Sequence, residues 1–420
     1  MRLLSLTLSL LMAATPVAAQ TDQLLDDLLE TSPLLSAAKS EADAARAEVW
    51  EARGARLPQL RLEAQASRLD ETLRINGVPG EFTATREPNA VSAVVDQAIF
   101  TSGRIGGAVG AARASANAAG HDYDATRQDV LLMGAMAISD VVRDRAVLRV
   151  RQENENVVRG RLDESTARRR AGLATDTDVR QSEARLALAE AERIFAQGAL
   201  ERSGAAFVRV FGFAAPENLT LPQAPTAMPT DLEIAINTAL SSNPDLASSA
   251  DQSTAAKRAI RAERGALMPQ VSLTASASRI DNERFGIELG EAEQYALTLN
   301  GRWDIFRGGS GHARTRAARR RADAAADIHR LTERQVREAV IASWADLMTT
   351  RSSVRARHAQ VDAATIAARG VAAEYRTGRR TRLDVLDADR EQSDAEAALV
   401  AAQRDLAVAE FAMLRVMGSL

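Results

Sequence analysis

Two acidic residues near the C-terminal end of the chain have a spacing that places them on one side of a helix. Asp384 and Asp387 lie three residues apart in the stretch EYRTGRRTRLDVLDADRE, where Gly378 interrupts the preceding helical pattern. Three arginines come just before them, at Arg379, Arg380 and Arg382. Aspartates in such a place either cap a helix N-terminus and complement its dipole or form a paired carboxylate site that attracts cations.

The first twenty residues have the pattern of an export signal. Arg2 is followed by an apolar run, then by Pro16 and small residues up to Ala19, which predicts a secretory signal peptide over residues 1–19. No later stretch approaches the length of about 18 consecutive apolar residues that a transmembrane helix needs. The chain has no cysteine. An exported form must therefore be held together by packing or oligomerisation, and it cannot carry a lipid on a cysteine.

The composition favours long helices and argues against nucleic-acid binding and catalysis. Apolar residues make up 46% of the chain but aromatic residues only 4%, which suits closely packed helices better than a thick globular core. The net charge of -3 indicates no nucleic-acid partner. The four histidines have no metal-ligand spacing. The glycine-rich stretches IFTSGRIGG and IFRGGSGH lack the ending of a phosphate-binding loop. We therefore expect no enzyme, no cofactor and no metal site.

The chain contains the same unit twice. The segment RAGLATDTDVRQSEARLALAEAE aligns with RTGRRTRLDVLDADREQSDAEAA, so that Gly172 matches Gly378 and Asp178 matches Asp384, each 206 residues later. Upstream, LPQLRLEAQASRLD aligns with MPQVSLTASASRID at a spacing of 211 residues. Such self-similarity indicates a structural duplication. We expect a first repeat over residues 20–226 and a second over residues 227–420.

Each repeat has the same succession of periodic patterns. A first helix is followed by a proline, an extended hairpin, a helix of about 66 residues or about 100 Å, and a return helix. The expected first helices are Asp22–Arg56 and Asp231–Leu267, the hairpins about 58–100 and about 269–306, and the return helices Thr177–Phe211 and Asp384–Met417. Apolar and polar residues alternate along the hairpins, a pattern typical of outer-membrane strands and also of a half-buried soluble sheet. Alanines recur along the return helices and predict antiparallel coiled-coil packing.

Four membrane strands cannot close a barrel alone, because open sheet edges are not tolerated in lipid. Closure therefore needs several chains, and a dimer, a trimer and a tetramer all satisfy it. The duplicated pattern of helix, LPQ strand, hairpin, IF-x-x-G exit and long helical hairpin resembles the TolC family of outer-membrane efflux proteins. The resemblance covers essentially the whole chain after the signal. It implies a mainly α chain in a trimer, whose 12-stranded β-barrel in the outer membrane continues as a 12-helix α-barrel in the periplasm.

The same resemblance implies roles for residues at the two helical hairpin turns. In the family these turns form the closed periplasmic entrance. The positions that match the family's gate network are Thr177, Asp178, Tyr375 and Arg380, and those that match its acidic rings are Asp384 and Asp387. The positions that match its adaptor-contacting tips are Gly172, Leu173 and Gly378. Rings of aspartates favour cations and should raise some of one another's pKa values by repulsion. Arg379 and Arg382 depart from the family pattern and add positive charge beside the gate.

The implied function is an exit duct of a tripartite efflux pump or of a type I secretion system. The implied partners are two further copies of the chain, a periplasmic adaptor protein, an inner-membrane pump or ABC transporter, and outer-membrane lipid. The alternative is a structural scaffold that spans the periplasm and never conducts. Acidic rings and a paired latch favour the duct, since a static strut needs neither.

Overall fold

A computed structural model describes residues 17–74, 76–77, 79–284 and 287–420. Of the predicted signal peptide, residues 1–16 lie outside this part of the chain. The chain divides into two compact units. Among the described residues, one unit, here called the helical unit, consists of the chain up to Lys39, Tyr123–Pro244 and Glu333–Leu420; the other, the sheet unit, consists of Ser40–Asp122 and Asp245–Thr332.

Three of the four helix pairs repeat with equal length, as the duplication predicts. The described residues form helices α1 (Val17–Thr31), α2 (Pro33–Gly54), α3 (Arg104–Arg170), α4 (Asp176–Phe211), α5 (Leu232–Ser242), α6 (Pro244–Gly265), α7 (Ser310–Arg376) and α8 (Arg382–Met417). Helices α2 and α6 have 22 residues each, α3 and α7 have 67, and α4 and α8 have 36, whereas α1 has 15 residues and α5 has 11. The return helices thus begin within two residues of the predicted starts.

The first helix of each repeat is broken, and the prediction of one continuous helix there was wrong. The breaks fall at Ser32, before Pro33, and at Asn243, before Pro244. Proline has no N–H to donate and disfavours helical backbone in the residue before it. Asn243 accordingly has an extended backbone, with φ -67° and ψ 120°.

A four-stranded antiparallel sheet with the order β1-β4-β5-β6 dominates the sheet unit. The strands are β1 (Gln59–Ala66), β2 (Leu69–Leu73), β3 (Phe82–Arg86), β4 (Asn89–Phe100), β5 (Gln270–Arg284) and β6 (Ile287–Arg302). The first hairpin, predicted as two strands, is interrupted, and its outer part is the separate pair β2-β3. Pro88 sits at the interruption and cannot donate to a ladder, whereas its carbonyl accepts from the Ser67 N–H at 3.2 Å.

The two faces of the four-stranded sheet differ in polarity. On one face the large apolar side chains are exposed, among them Leu62 at 78%, Tyr295 at 77% and Leu297 at 72%. On the other face polar side chains bond across the strands: Asp96 accepts from Arg61 and from Thr274, each at 2.8 Å. A contiguous exposed apolar face needs an apolar partner such as lipid. Within the described residues, no helix combines the length and the apolar character needed to cross a membrane.

An aromatic cluster and an arginine organise the helical unit. Phe207 and Phe211 stack with ring centroids 4.3 Å apart, inside a core that also contains Leu28. The segment after α4 is held on α3 by Arg145, which donates to the carbonyl of Ala215 at 2.9 Å and to further carbonyls beside it. The start of the connector between the two repeats is therefore hydrogen-bonded to the long helix α3.

Candidate functional site

The two turns that join α3 to α4 and α7 to α8 have the same backbone design. Gly172 and Gly378 adopt φ values of 76° and 78°, the left-handed conformation that glycine supplies at helix C-termini. The N–H of the next residue bonds back to the helix, from Leu173 to the Arg168 carbonyl at 2.8 Å and from Arg379 to the Glu374 carbonyl at 3.0 Å. Both turns are thus sharp and internally satisfied. The Leu173 side chain is 70% exposed at the end of the first turn.

Asp178 and Asp384 each close a capping box at the start of a return helix. Asp178 accepts from the backbone N–H and the hydroxyl of Thr175, each at 2.8 Å, and Asp384 has the same two bonds with Thr381. These bonds from Thr175 and Thr381 hold the pKa of Asp178 and Asp384 below the ordinary range of an aspartate. Within one chain, both aspartates therefore stabilise helix N-termini. Thr177 is exposed in the first turn of α4.

The predicted pair between Arg380 and Asp178 is not formed in this structure. Arg380 Nε donates to Glu374 Oε2 at 2.9 Å, and the two side chains are 49% and 48% exposed. Glu374 and Arg380 are six residues apart, so this ion pair lies within the second hairpin turn. Asp178 is engaged by Thr175, as above. In the single chain, Asp178 and Arg380 therefore have separate partners.

Arg382, which the sequence reasoning left without a role, occupies the position that joins the two hairpins. Its side chain is 4% exposed and donates from Nη1 to Glu164 Oε2 of α3 at 2.7 Å. It also donates to the backbone carbonyl of Arg161. Its guanidinium lies over the ring of Tyr375, 5.3 Å from the centroid, and Arg168 of α3 lies over the same ring at the same distance. We call Glu164, Arg168, Tyr375 and Arg382 the tip cluster.

One signal in the sequence could have pointed to Arg382. It is the first residue of α8, and a positive charge at a helix N-terminus opposes the helix dipole. A residue placed against the local preference usually has a tertiary partner. Here the partners are Glu164 and Tyr375.

Asp387 makes a contact with the neighbouring return helix that sequence reasoning missed. Arg185 of α4 donates to Asp387 Oδ1 at 2.6 Å, with side-chain exposures of 28% and 52%. Asp384 and Asp387 lie three residues apart on α8, and of these two only Asp387 has an arginine of another helix beside it among the described residues.

Ion pairs continue from the tip cluster along the antiparallel seam of α3 and α8. The pairs are Arg161–Asp389 at 3.0 Å, Arg151–Asp394 at 2.7 Å, Asp140–Arg404 at 2.8 Å and Asp129–Arg415 at 2.5 Å. The basic partner is on α3 in the first two pairs and on α8 in the last two. The sign of the charge thus reverses midway along both helices. Sliding one helix along the other would bring like charges together, so this reversal favours one register of the two hairpins.

Both halves of the chain match one family model, that of the outer membrane efflux protein, over residues 24–212 and 235–419. The chain belongs to the outer membrane efflux protein family. This confirms the resemblance to the TolC family, the duplication and the outer-membrane location.

Individual relatives agree with this assignment. The outer membrane efflux protein BepC of Brucella suis is 29% identical over 341 residues, which are 81% of this chain and 74% of that protein. The outer membrane protein TolC of Salmonella enteritidis is 24% identical over 399 residues, covering 93% of this chain and 80% of that one. Among solved structures, the outer membrane protein VceC of Vibrio cholerae has a TM-score of 0.81 at 20% identity and covers 95% of this chain and 96% of its own. The fold of this family member is therefore that of the outer-membrane efflux channels.

Proposed function

We propose that this protein is the outer-membrane exit duct of a tripartite efflux pump or of a type I secretion system. Three copies join their four-stranded sheets into one barrel in the outer membrane and their helical hairpins into one periplasmic tunnel. A periplasmic adaptor and an inner-membrane pump or ABC transporter deliver the substrate to this tunnel. The observation that carries the proposal is the four-stranded sheet of this chain, which belongs to the outer membrane efflux protein family. Its apolar face is exposed, and among the described residues its order β1-β4-β5-β6 leaves the edge strands β1 and β6 unpaired on one side.

The proposed gate lies at the two helical hairpin turns. The tip cluster holds the start of α8 against α3 through Arg382 and Tyr375, and it takes the place of the predicted Arg380–Asp178 pair. Around a threefold axis, Asp384 and Asp387 form acidic rings that favour cations. Arg185 tempers the charge of the Asp387 ring. Opening the gate moves the second hairpin away from the first and breaks the tip cluster.

The proposed adaptor contact is the outer end of the turns. Gly172 and Gly378 give both ends a compact backbone, and Leu173 offers an exposed apolar side chain. One exposed apolar side chain is ordinary on a protein surface, so the support for this contact is the match of these positions to the family's adaptor-contacting tips. Thr177 and Asp178 stand just behind this surface, at the start of α4.

The test is single-channel recording of the purified native protein in planar lipid bilayers, together with its mass in detergent. We expect a trimer with a small, cation-selective conductance. A trimer without any conductance, with or without an intact tip cluster, would favour the non-conducting scaffold. A single copy in detergent would refute the closed barrel and the duct together.

A further inference from the structure

The sheet unit ends in two helices of opposite charge. Helix α2 leads into the edge strand β1 and helix α7 follows the other edge strand β6. Residues 40–54 of α2 carry four acidic and two basic residues, whereas residues 310–332 of α7 carry six arginines and two aspartates. The two open edges of one chain are therefore complementary in charge.

The charges of α2 point away from the body of its own chain. Ala42 and Val49 are the buried residues of α2 in this unit. Glu41, Glu48 and Glu51 are exposed, and their spacings of seven and three residues align them along one side of the helix. Within the described part of the chain, none of these three carboxylates has an ion-pair partner.

The arginines of α7 show the same separation. Ala318 and Ala322 face inward, whereas Arg316 and Arg320 are exposed and lie one helical turn apart on the opposite side. Arg316 has no carboxylate partner among the described residues. Within the same part of the chain, Arg320 reaches only Asp323 of its own helix, at 3.4 Å, with 87% of its side chain exposed.

The internal duplication supplies the register in which these two helices meet between copies. Helix α2 corresponds to α6, and α3 corresponds to α7. Inside the chain α3 packs on α6. A Cβ on Gly107 would lie 2.4 Å from the Ala262 nitrogen, and a Cβ on Gly110 would lie 3.5 Å from Arg258 Cγ.

The same relation can be carried over to α7 and the α2 of a neighbouring copy. The spacings of 206 and 211 residues then place Ala313 opposite Glu51 and Arg316 opposite Ala47. Arg316 falls beside Glu48 and Glu51, and Arg320, one turn on, falls between Glu41 and Glu48.

The seam between copies cannot be as close as the seam inside the chain. Gly107 and Gly110 leave room for the α6 backbone and for Arg258, but their counterparts on α7 are Ala313 and Arg316. A Cβ at the first position and a long side chain at the second must separate the helices. The wider gap would leave room for the arginines of α7 and the glutamates of α2.

We propose that α7 of one copy docks antiparallel on α2 of the next, through Arg316 with Glu48 and Glu51 and through Arg320 with Glu41 and Glu48. This interface rests on the proposed oligomer, and it makes copies join in one rotational sense. The partner is a second copy of this chain, because both charged edges and the register that aligns them come from the same sequence.

The first experiment is a charge swap read as the monomer fraction of detergent-solubilised protein. Arg316→Glu and Glu48→Arg should each increase that fraction about fivefold for each interface. The two together should return it part of the way to the native value, because the pair between positions 316 and 48 is restored, whereas position 316 then faces Glu51 and position 48 faces Arg320 with like charge. The two residues lie at opposite edges of one chain, so rescue can only come from contact between copies. Arg321→Glu with Glu48→Arg is the matched control and should not restore assembly, because Arg321 points to another side of α7.

The second experiment uses the absence of cysteine in the chain. Arg316→Cys with Ala47→Cys, treated with a short thiol cross-linker, should give covalent dimers and trimers in a denaturing gel. Arg316→Cys with Glu41→Cys, about 9 Å further along α2, should cross-link far less. A conducting trimer that shows neither rescue nor cross-linking would overturn this interface and leave the proposed duct intact. A native protein that is monomeric in detergent would overturn both.

Discussion

Arg382→Ala should open the duct, because Arg382 holds the start of α8 against α3. Its charge-assisted hydrogen bond to Glu164 has a typical value of about 1.5–3 kcal/mol, and its contact with the Tyr375 ring about 0.5–2 kcal/mol. The Glu164 side chain is 41% exposed and regains water when the arginine is removed. We therefore take the lower part of the sum, about 2–3 kcal/mol for each chain. If the contact exists only in the closed state, its loss shifts the closed-to-open equilibrium about 30- to 150-fold for each chain.

Two further variants separate this contact from a general effect of charge at the tip. Arg380→Ala removes a positive charge two residues away, but its pair with Glu374 is about half exposed on both sides and is screened by water, so it contributes little to the closed state. Its conductance should stay near native. Arg382→Lys keeps the charge but loses the planar fork and the stacking on Tyr375, so its conductance should be intermediate.

The assay is single-channel conductance in planar bilayers for the native protein and the three variants, with trimer mass and melting temperature as checks on folding. We expect a several-fold larger conductance for Arg382→Ala and little change for Arg380→Ala. The opposite order, with Arg380→Ala open and Arg382→Ala closed, would refute the tip cluster as the latch. That result would return the role to the contact predicted from the family resemblance.

Three more measurements test other parts of the structure. Thr381 lowers the pKa of Asp384 in the folded state, so the cap stabilises the fold above the ordinary aspartate pKa of about 3.9 and this stabilisation is lost as pH falls through the lower, folded value. Thermal melting should show this loss in the native protein and a weaker one in Thr381→Ala. At neutral pH, Thr381→Ala should lower the stability by about 1 kcal/mol. Equal pH profiles would argue against the cap. Gly107→Ala should destabilise the sheet unit by about 1–3 kcal/mol, because the new Cβ meets the α6 backbone. The control Gly120→Ala, whose Cβ would have nothing within 4 Å, should be neutral or stabilising by up to about 1 kcal/mol. The melting temperatures of the two variants test this difference. Asp387→Asn should lower cation selectivity in the reversal potential, and an unchanged potential would remove Asp387 from the pore lining.

Periodicity predicted the long elements well because their structure is decided locally. Alanine-rich patterns of period close to 3.6 gave the return helices, and the start of α4 was missed by one residue. The breaks at Ser32 and Asn243 were missed although Pro33 and Pro244 stood in the sequence. The apolar pattern continues across each break, so periodicity alone does not reveal it.

The contacts at the hairpin turns were harder to predict than the turns themselves. Gly172 and Gly378 mark the turns from sequence alone, because only a residue that accepts positive φ fits there. The partner of Arg382 is Glu164, 218 residues earlier in the chain. No local preference specifies such a pair, and the choice between Arg380 and Arg382 as the buried arginine depends on how α8 packs on α3.

The duplication offers a reason for the proposed latch to lie in the second hairpin. Residues 169 and 176 of the first turn correspond to 375 and 382 of the second. In the first turn they are Arg169 and Asp176, an ion pair with side chains 51% and 78% exposed. In the second they are Tyr375 and Arg382, and Arg382 is 4% exposed against α3. The same backbone thus presents a solvated pair in one repeat and a buried contact in the other. The proposed gate uses this difference, because in it the second hairpin moves while the first stays fixed.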